Sequence, residues 1–177
     1  MQALVIIDAQ NEFSASGQRP VPDHLNAIQQ IRRHVRLARG EGRPIAWIRH
    51  YNKPTESPAF VPGSWGAEFF AGLDPNPTGQ NEVIFEKNVY GAFTGTGLGG
   101  WLEKQGVTSI LLVGFYTHGC LATTAREAIM KDLPVFLDPS ATRACAIYHD
   151  LLGAQTEEEV RRSALLHLTN MGALLFY

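Results

Sequence analysis

The sequence predicts an α/β protein built around a parallel β-sheet, and three observations carry that prediction. Short apolar runs alternate with longer stretches of helical period along all 177 residues, the pattern of repeated βα units. The first and fourth runs, at 3–7 and 109–113, are apolar throughout except for the leading Ser109, instead of alternating, as expected of strands covered by helices on both faces. Glycines stand where the helical stretches would stop: Gly40 and Gly42, Gly106, and Gly172.

Six strands are expected, at 3–8, 44–48, 83–86, 109–113, 135–137 and 173–176, with the first and fourth central. A first helix over 23–39 carries Leu25, Ile28, Ile31, Val35 and either Leu37 or Ala38 at near-helical spacing, and Asp23 after Pro22 is placed to cap it. A second helix spans 98–105, a third 120–131 and a fourth 156–170, where Thr156 and Glu159 have capping-box spacing. The length fits one domain, 1–177. Within it, 52–82 stands apart: five prolines and four glycines make a connection far longer than usual. Because it also holds Phe60, Trp65, Phe69 and Phe70, it reads as a packed flap over a cavity or as a satellite core under a surface loop.

Composition narrows the function classes. A net charge of −2 and 18% charged residues offer no basic footprint for nucleic acid, so small molecules or proteins are the expected partners. No apolar run approaches the roughly 20 residues that span a bilayer, which leaves a membrane role unsupported. The two cysteines, Cys120 and Cys145, form no spaced metal or disulfide framework, and the chain opens directly into a strand without a signal-peptide pattern. A reducing, cytoplasmic setting is the expectation. The run Gly95-Thr96-Gly97-Leu98-Gly99-Gly100 satisfies the dinucleotide spacing. It nonetheless comes several residues after its strand, with no acidic residue about twenty positions on to hold a ribose. It reads as a glycine-rich lead-in to the second helix, and no cofactor is expected.

Three reactive side chains follow three strands: Asp8, Lys87 and Cys120. Cys120 stands at the expected start of the third helix, where unpaired N–H groups and a partial positive charge favour a thiolate and can hold a developing oxyanion. A thiol near its reference pKa of about 8.5 is little ionised at neutral pH, so a nucleophile needs a lowered value or a base. Asp8 can take and return the proton while the Lys87 ammonium stabilises the sulfur and orients the carboxylate. Attack on an amide or carbamoyl carbon would put negative charge on the carbonyl oxygen, with the backbone N–H groups of Tyr116 and Cys120 as candidate donors. A strand-end salt bridge, or two solvated side chains, is the structural alternative for Asp8 and Lys87.

Three segments carry a family resemblance: Leu4-Val5-Ile6-Ile7-Asp8-Ala9-Gln10-Asn11-Glu12-Phe13, Phe85-Glu86-Lys87-Asn88-Val89-Tyr90-Gly91-Ala92-Phe93, and Gly114-Phe115-Tyr116-Thr117-His118-Gly119-Cys120 with Thr124 and Ala128 behind it. In order and spacing they resemble the isochorismatase-like cysteine hydrolase superfamily over nearly the whole chain. The resemblance implies a three-layer αβα fold with a six-stranded parallel sheet of order 3-2-1-4-5-6. Strands one and four would be neighbours at the switch point, where Asp8 and Cys120 meet. It also implies a cis Phe115–Tyr116 peptide, an Asp8, Lys87, Cys120 triad, amidase-type hydrolysis through a thioester, and a homo-oligomer, dimer or tetramer.

Branches of the family can be separated on the same residues. Nicotinamidases carry an Asp-x-His metal motif after the second strand, where this chain reads Ile48-Arg49-His50-Tyr51-Asn52, so no metal is expected. True isochorismatases cleave a vinyl ether without a nucleophilic cysteine, and Cys120 argues against that activity. A catalytically inactive binding or assembly subunit is the other reading. The segment Pro62-Gly63-Ser64-Trp65-Gly66-Ala67-Glu68 is similar to one in carbamoylsarcosine, biuret and ureidoacrylate hydrolases. Phe13, Trp65, Tyr90, Phe93 and Tyr116 are expected to give an aromatic mouth suited to a small substrate. Arg49, His50 and Arg143 could each pair with a substrate carboxylate or serve as surface residues or oligomer contacts, and the sequence does not choose among them. His118 could tune Cys120 or simply orient the turn.

Overall fold

The computed structural model describes residues 1–77 and 81–176; positions 78–80 of the expected flap, and 177, lie outside the described residues. The strands are β1 (Gln2–Ile7), β2 (Ile45–His50), β3 (Glu82–Lys87), β4 (Ser109–Phe115), β5 (Val135–Arg143), β6 (Ile147–His149), β7 (Gly153–Gln155) and β8 (Leu174–Leu175). Six of them form one parallel sheet in the order β3-β2-β1-β4-β5-β8, which is the expected 3-2-1-4-5-6 counted over sheet strands. The helices are α1 (His24–Gly40), α2 (Leu98–Lys104), α3 (Ala122–Ile129) and α4 (Glu157–Asn170).

The central strand explains its own composition. Alternate side chains of a strand point to opposite faces, so Ala3, Val5 and Ile7 of β1 join Leu98, Ala125 and Leu168 on one side. Leu4 and Ile6 join Ile28, Ile31 and Trp47 on the other, under α1. With both faces covered, no position of β1 after Gln2 can be polar, and each large side chain buried contributes about 1.5–3 kcal/mol. The result is three layers, α1 on one face and α2, α3 and α4 on the other.

Several boundaries differ from the sequence expectation for physical reasons. Ile28, Ile31 and Val35 fix the phase of α1, which buries Ala38 and leaves Leu37 and Leu25 exposed. Asp23 does not cap α1. It adopts a left-handed backbone (φ 54°), and its carboxylate pairs with Arg143 at 2.5 Å. β5 continues past Leu137 because its register against β4 jumps from Leu112↔Leu137 to Gly114↔Thr142. The polar, Pro-containing stretch 138–141 bulges out between those pairs. The β6–β7 hairpin was not foreseen; its tip exposes Leu151 and Leu152. The capping box at Thr156 and Glu159 is present as expected.

The topology gathers chemistry at one end of the sheet. Asp8 follows β1, while His50 and Lys87 end β2 and β3 and Phe115 ends β4. β1 and β4 are adjacent there, at the switch point where a crevice opens beyond the strands' carboxyl ends. Gly114, with φ 117°, sits opposite Ile7, and a Cβ at that position would fall 1.9 Å from the Ile7 carbonyl oxygen. Only glycine permits the two backbones to approach so closely immediately before Asp8.

Candidate active site

Asp8 leaves β1 in a left-handed conformation (φ 48°), uncommon outside glycine but tolerated by Asp. Its N–H donates to the Ile48 carbonyl at 3.0 Å and its carbonyl accepts from Gln10 N–H at 2.7 Å, so the turn is held from both sides. The buried carboxylate accepts a 2.8 Å hydrogen bond from Lys87 Nζ through Oδ2. Its other oxygen, Oδ1, has no hydrogen-bond partner among the described residues. Cys120 Sγ, a ring nitrogen of His50 and an Asp8 oxygen all lie within 4.8 Å of one another.

Cys120 belongs to an irregular helical turn, Thr117–Leu121, broken at Gly119 (φ −103°, ψ −111°), and α3 begins only at Ala122. The peptide between Phe115 and Tyr116 is cis. Burial pushes the Cys120 thiol well above its ordinary range and the Asp8 carboxylate pushes the same way, while the Lys87 ammonium opposes them. The thiolate stabilisation expected at a helix start is therefore outweighed, and the sulfur rests protonated beside an ion pair. For Lys87, burial is the largest single influence and favours loss of the proton, but the Asp8 charge, Cys120 and their hydrogen bonds together outweigh it and hold the ammonium above its usual range.

His50 completes the cluster, and its tautomer can be read from its neighbours. Asn52 Nδ2 donates to the Ala59 carbonyl, which leaves Oδ1 to accept from His50 Nε2–H at 3.0 Å. Nδ1 therefore carries the lone pair and accepts from Lys87 Nζ at 3.3 Å. Burial, then the Lys87 charge, lowers the pKa of His50; burial does the same for His118, whose ring stacks on Tyr116 at 5.1 Å. Each folded pKa lies below the unfolded reference of about 6.5, so below that pH the unfolded chain binds more protons. Stability is expected to be full above about pH 6.5 and to fall as the pH drops toward the folded values. Urea unfolding from about pH 8 to 5 checks this, and His118→Phe, which keeps a ring against Tyr116, should flatten the slope. An unchanged profile in the variant would contradict the assignment.

The polar residues after Asp8 strap the flap onto the site. Buried Gln10 donates to the His50 and Ala67 carbonyls and accepts from His50 N–H. Asn11 Nδ2 donates to the Trp65 carbonyl. The Glu12 carboxylate accepts from Phe60 N–H at 3.0 Å and Gln18 N–H at 2.6 Å. Backbone bonds from Asn11 N–H to Glu68 and from Phe70 N–H to Ala9 finish the seam. The segment 52–77 is thus a packed flap around the short turn Trp65–Ala67.

A cavity of about 680 Å³ opens over the cluster, with Cys120 and Asp8 among its walls. Of the residues expected at its mouth, Phe13, Tyr90 and Tyr116 line it. Trp65 and Phe93 do not. Trp65 is 56% exposed on the flap, where it is Phe60 that turns inward against Phe13, and Phe93 packs into the core beside α2 and α3. His50 and His118 form part of the wall. Arg49 and Arg143 stand outside it, paired with Glu86 and Asp23. Sequence reasoning missed Arg19, Asn52 and Asn88 in the lining. Asn52 was accessible in principle, since a period of two puts it on the same side as His50. Arg19, in a Gly- and Pro-rich turn, left no periodic signal.

Asp8, His50 and Cys120 are metal-ligand types, but the cluster does not fit a divalent ion. The Lys87 ammonium already lies 2.8 Å from Asp8 and 3.3 Å from His50, so an added cation would meet a fixed positive charge. No helix among the described residues is long and apolar enough to cross a membrane.

Comparison with known proteins agrees with this architecture. A family model described as "Isochorismatase domain" matches residues 2–175. Nicotinamidase 3 of Arabidopsis thaliana is 31% identical over 176 residues, covering 94% of this chain and 79% of that protein. The nicotinamidase/pyrazinamidase of Mycobacterium tuberculosis is 29% identical over 154 residues, 75% of this chain and 81% of that one. The crystal structure of an isochorismatase from Pseudomonas putida KT2440 superposes with a TM-score of 0.89 at 26% identity, covering 98% of this chain and 86% of that chain. With its fold, its sheet order and a family match across nearly its whole length, this chain belongs to the isochorismatase family of hydrolases.

Proposed function

We propose that the protein is a metal-independent cysteine hydrolase of a small amide, carbamoyl or ureido compound. The observation that carries the reading is the meeting of a buried Lys87–Asp8 ion pair and Cys120 beside one cavity, from three distant parts of the chain. Because the thiol rests protonated, the reaction begins as base-assisted attack: Asp8 takes the Cys120 proton as sulfur bonds to the substrate carbon. The tetrahedral oxyanion accepts hydrogen bonds from the backbone N–H groups of Tyr116 and Cys120, a contribution of about 3 kcal/mol per donor. Asp8 then returns the proton to the departing nitrogen, the C–N bond breaks and a thioester remains. Water, losing its proton to Asp8, attacks that thioester, releases the acid and restores the thiol.

Lys87 acts on both partners, holding the carboxylate by its hydrogen bond and lowering the cost of negative charge on sulfur. Neutral His50 anchors Lys87 from the opposite side. Kinship with two nicotinamidases supports hydrolysis of an amide over cleavage of an ether. The test is a screen of small amides, ureas and isochorismate, with Cys120→Ala as the blank. Ammonia release by the native protein and none by the variant is the expected result. Turnover of isochorismate that survives in Cys120→Ala, or no amide turned over at all, contradicts the reading.

A further inference from the structure

We propose that the cavity selects amides carrying a carboxylate or comparable anionic group, with Arg19 as the anchor for that group. The inference rests on the reading of Cys120 as the reacting group. Every other cation near the site is already engaged: Lys87 by Asp8, Arg49 by Glu86 and Arg143 by Asp23. Burial keeps His50 and His118 from taking up a proton readily. Among the described residues Arg19 is the one Lys or Arg of the lining, and its exposed guanidinium pairs with no described carboxylate or carbonyl.

The residue is also held in place. Its carbonyl accepts from the Tyr116 hydroxyl, and its N–H donates to the Glu12 carbonyl, which ties the Arg19 backbone to the wall next to the nucleophile. At the Tyr116 hydroxyl burial is the main influence and the Arg19 charge opposes it, and both residues line the cavity. Asp8, the only carboxylate among the described residues of the lining, is neutralised by Lys87. An anionic substrate thus meets an unbalanced positive charge at the mouth and an amide-directed sulfur below it. A planar guanidinium suits a carboxylate, which it can bind through two parallel hydrogen bonds.

The test is binding to Cys120→Ala, which cannot turn substrate over, so that it reads the anchor apart from the chemistry. Titration calorimetry compares malonamate, succinamate and glutaramate with propionamide, butyramide and valeramide, in which a methyl replaces the carboxylate. The best acid is expected to bind at least about 10-fold tighter than its neutral counterpart, the size of one charge-assisted contact. Adding Arg19→Met should erase the difference, and Arg19→Lys should restore part of it. Equal affinities, a preference that survives Arg19→Met, or no binding of any acid would each overturn the proposal. Native turnover confined to neutral amides would overturn it while leaving the cysteine mechanism intact. An acid preference without any ammonia release by native protein would do the reverse.

Discussion

Cys120→Ala is expected to lose roughly 10,000-fold or more in kcat/KM on any amide substrate while folding normally, whereas Lys87→Met should lose activity and stability together. The contrast follows from what each side chain holds. In the proposed mechanism Cys120 makes the bond to substrate, and removing one buried sulfur disturbs little else. Among the described residues Lys87 is the only ion-pair partner of a carboxylate that is 1% exposed. A buried charge stripped of its partner costs about 3–5 kcal/mol, which urea unfolding would read as a lowered midpoint at constant slope. The double variant should be no less active than Cys120→Ala alone, because the residues of one nucleophilic unit do not contribute additively. Full activity in Lys87→Met would place the ammonium outside the mechanism.

The second large effect concerns the frame and not the chemistry. Gly114→Ala is expected to destabilise the protein by more than about 4 kcal/mol, or to leave it insoluble. Two faults coincide at this position. A backbone with φ 117° lies outside the regions open to alanine, and the new Cβ would meet the Ile7 carbonyl at 1.9 Å. The obstruction is backbone in the central strand, so it cannot rotate away. Relief would require parting β1 from β4, which would also move Asp8 away from Cys120. Soluble yield and denaturant unfolding test this, and a variant of native stability would mean that the approach of the two strands is looser than described.

Much of this arrangement was legible in the sequence because burial on two faces leaves a plain signature. β1 and β4 could be read as continuous apolar runs, and reactive residues at strand ends marked the end of the sheet where they meet. What escaped had no such signature. The β6–β7 strands are three residues each and exposed, too short for any alternation to register. The extension of β5 passes through Asp138, Pro139 and Ser140, which read as a strand's end until the bulge accommodates them. Asp23 has the residue type of a cap but serves Arg143. Among the flap aromatics, composition could not say that Phe60 faces the cavity while Trp65 faces solvent. The polar run Gln10-Asn11-Glu12 gave no hint of burial, because each residue of it has a partner among backbone groups of a loop 48 to 57 residues away.

The thiol illustrates a different limit. A helix start and a nearby lysine both favour a thiolate, and both features can be read from sequence. Desolvation and the adjacent carboxylate depend on the packed site and overrule them. In the proposed mechanism the proton therefore stays on sulfur until a substrate is seated, and Asp8, with an oxygen within 4.8 Å of the sulfur, collects it.

The most direct test of the central claim, that sulfur becomes covalently linked to the substrate, is acid quench of the native protein during amide turnover followed by peptide mass mapping. The predicted result is an acyl adduct on the peptide containing Cys120, absent from the Cys145 peptide and from Cys120→Ala. Sustained turnover with unmodified Cys120, and retained activity in the alanine variant, would contradict it.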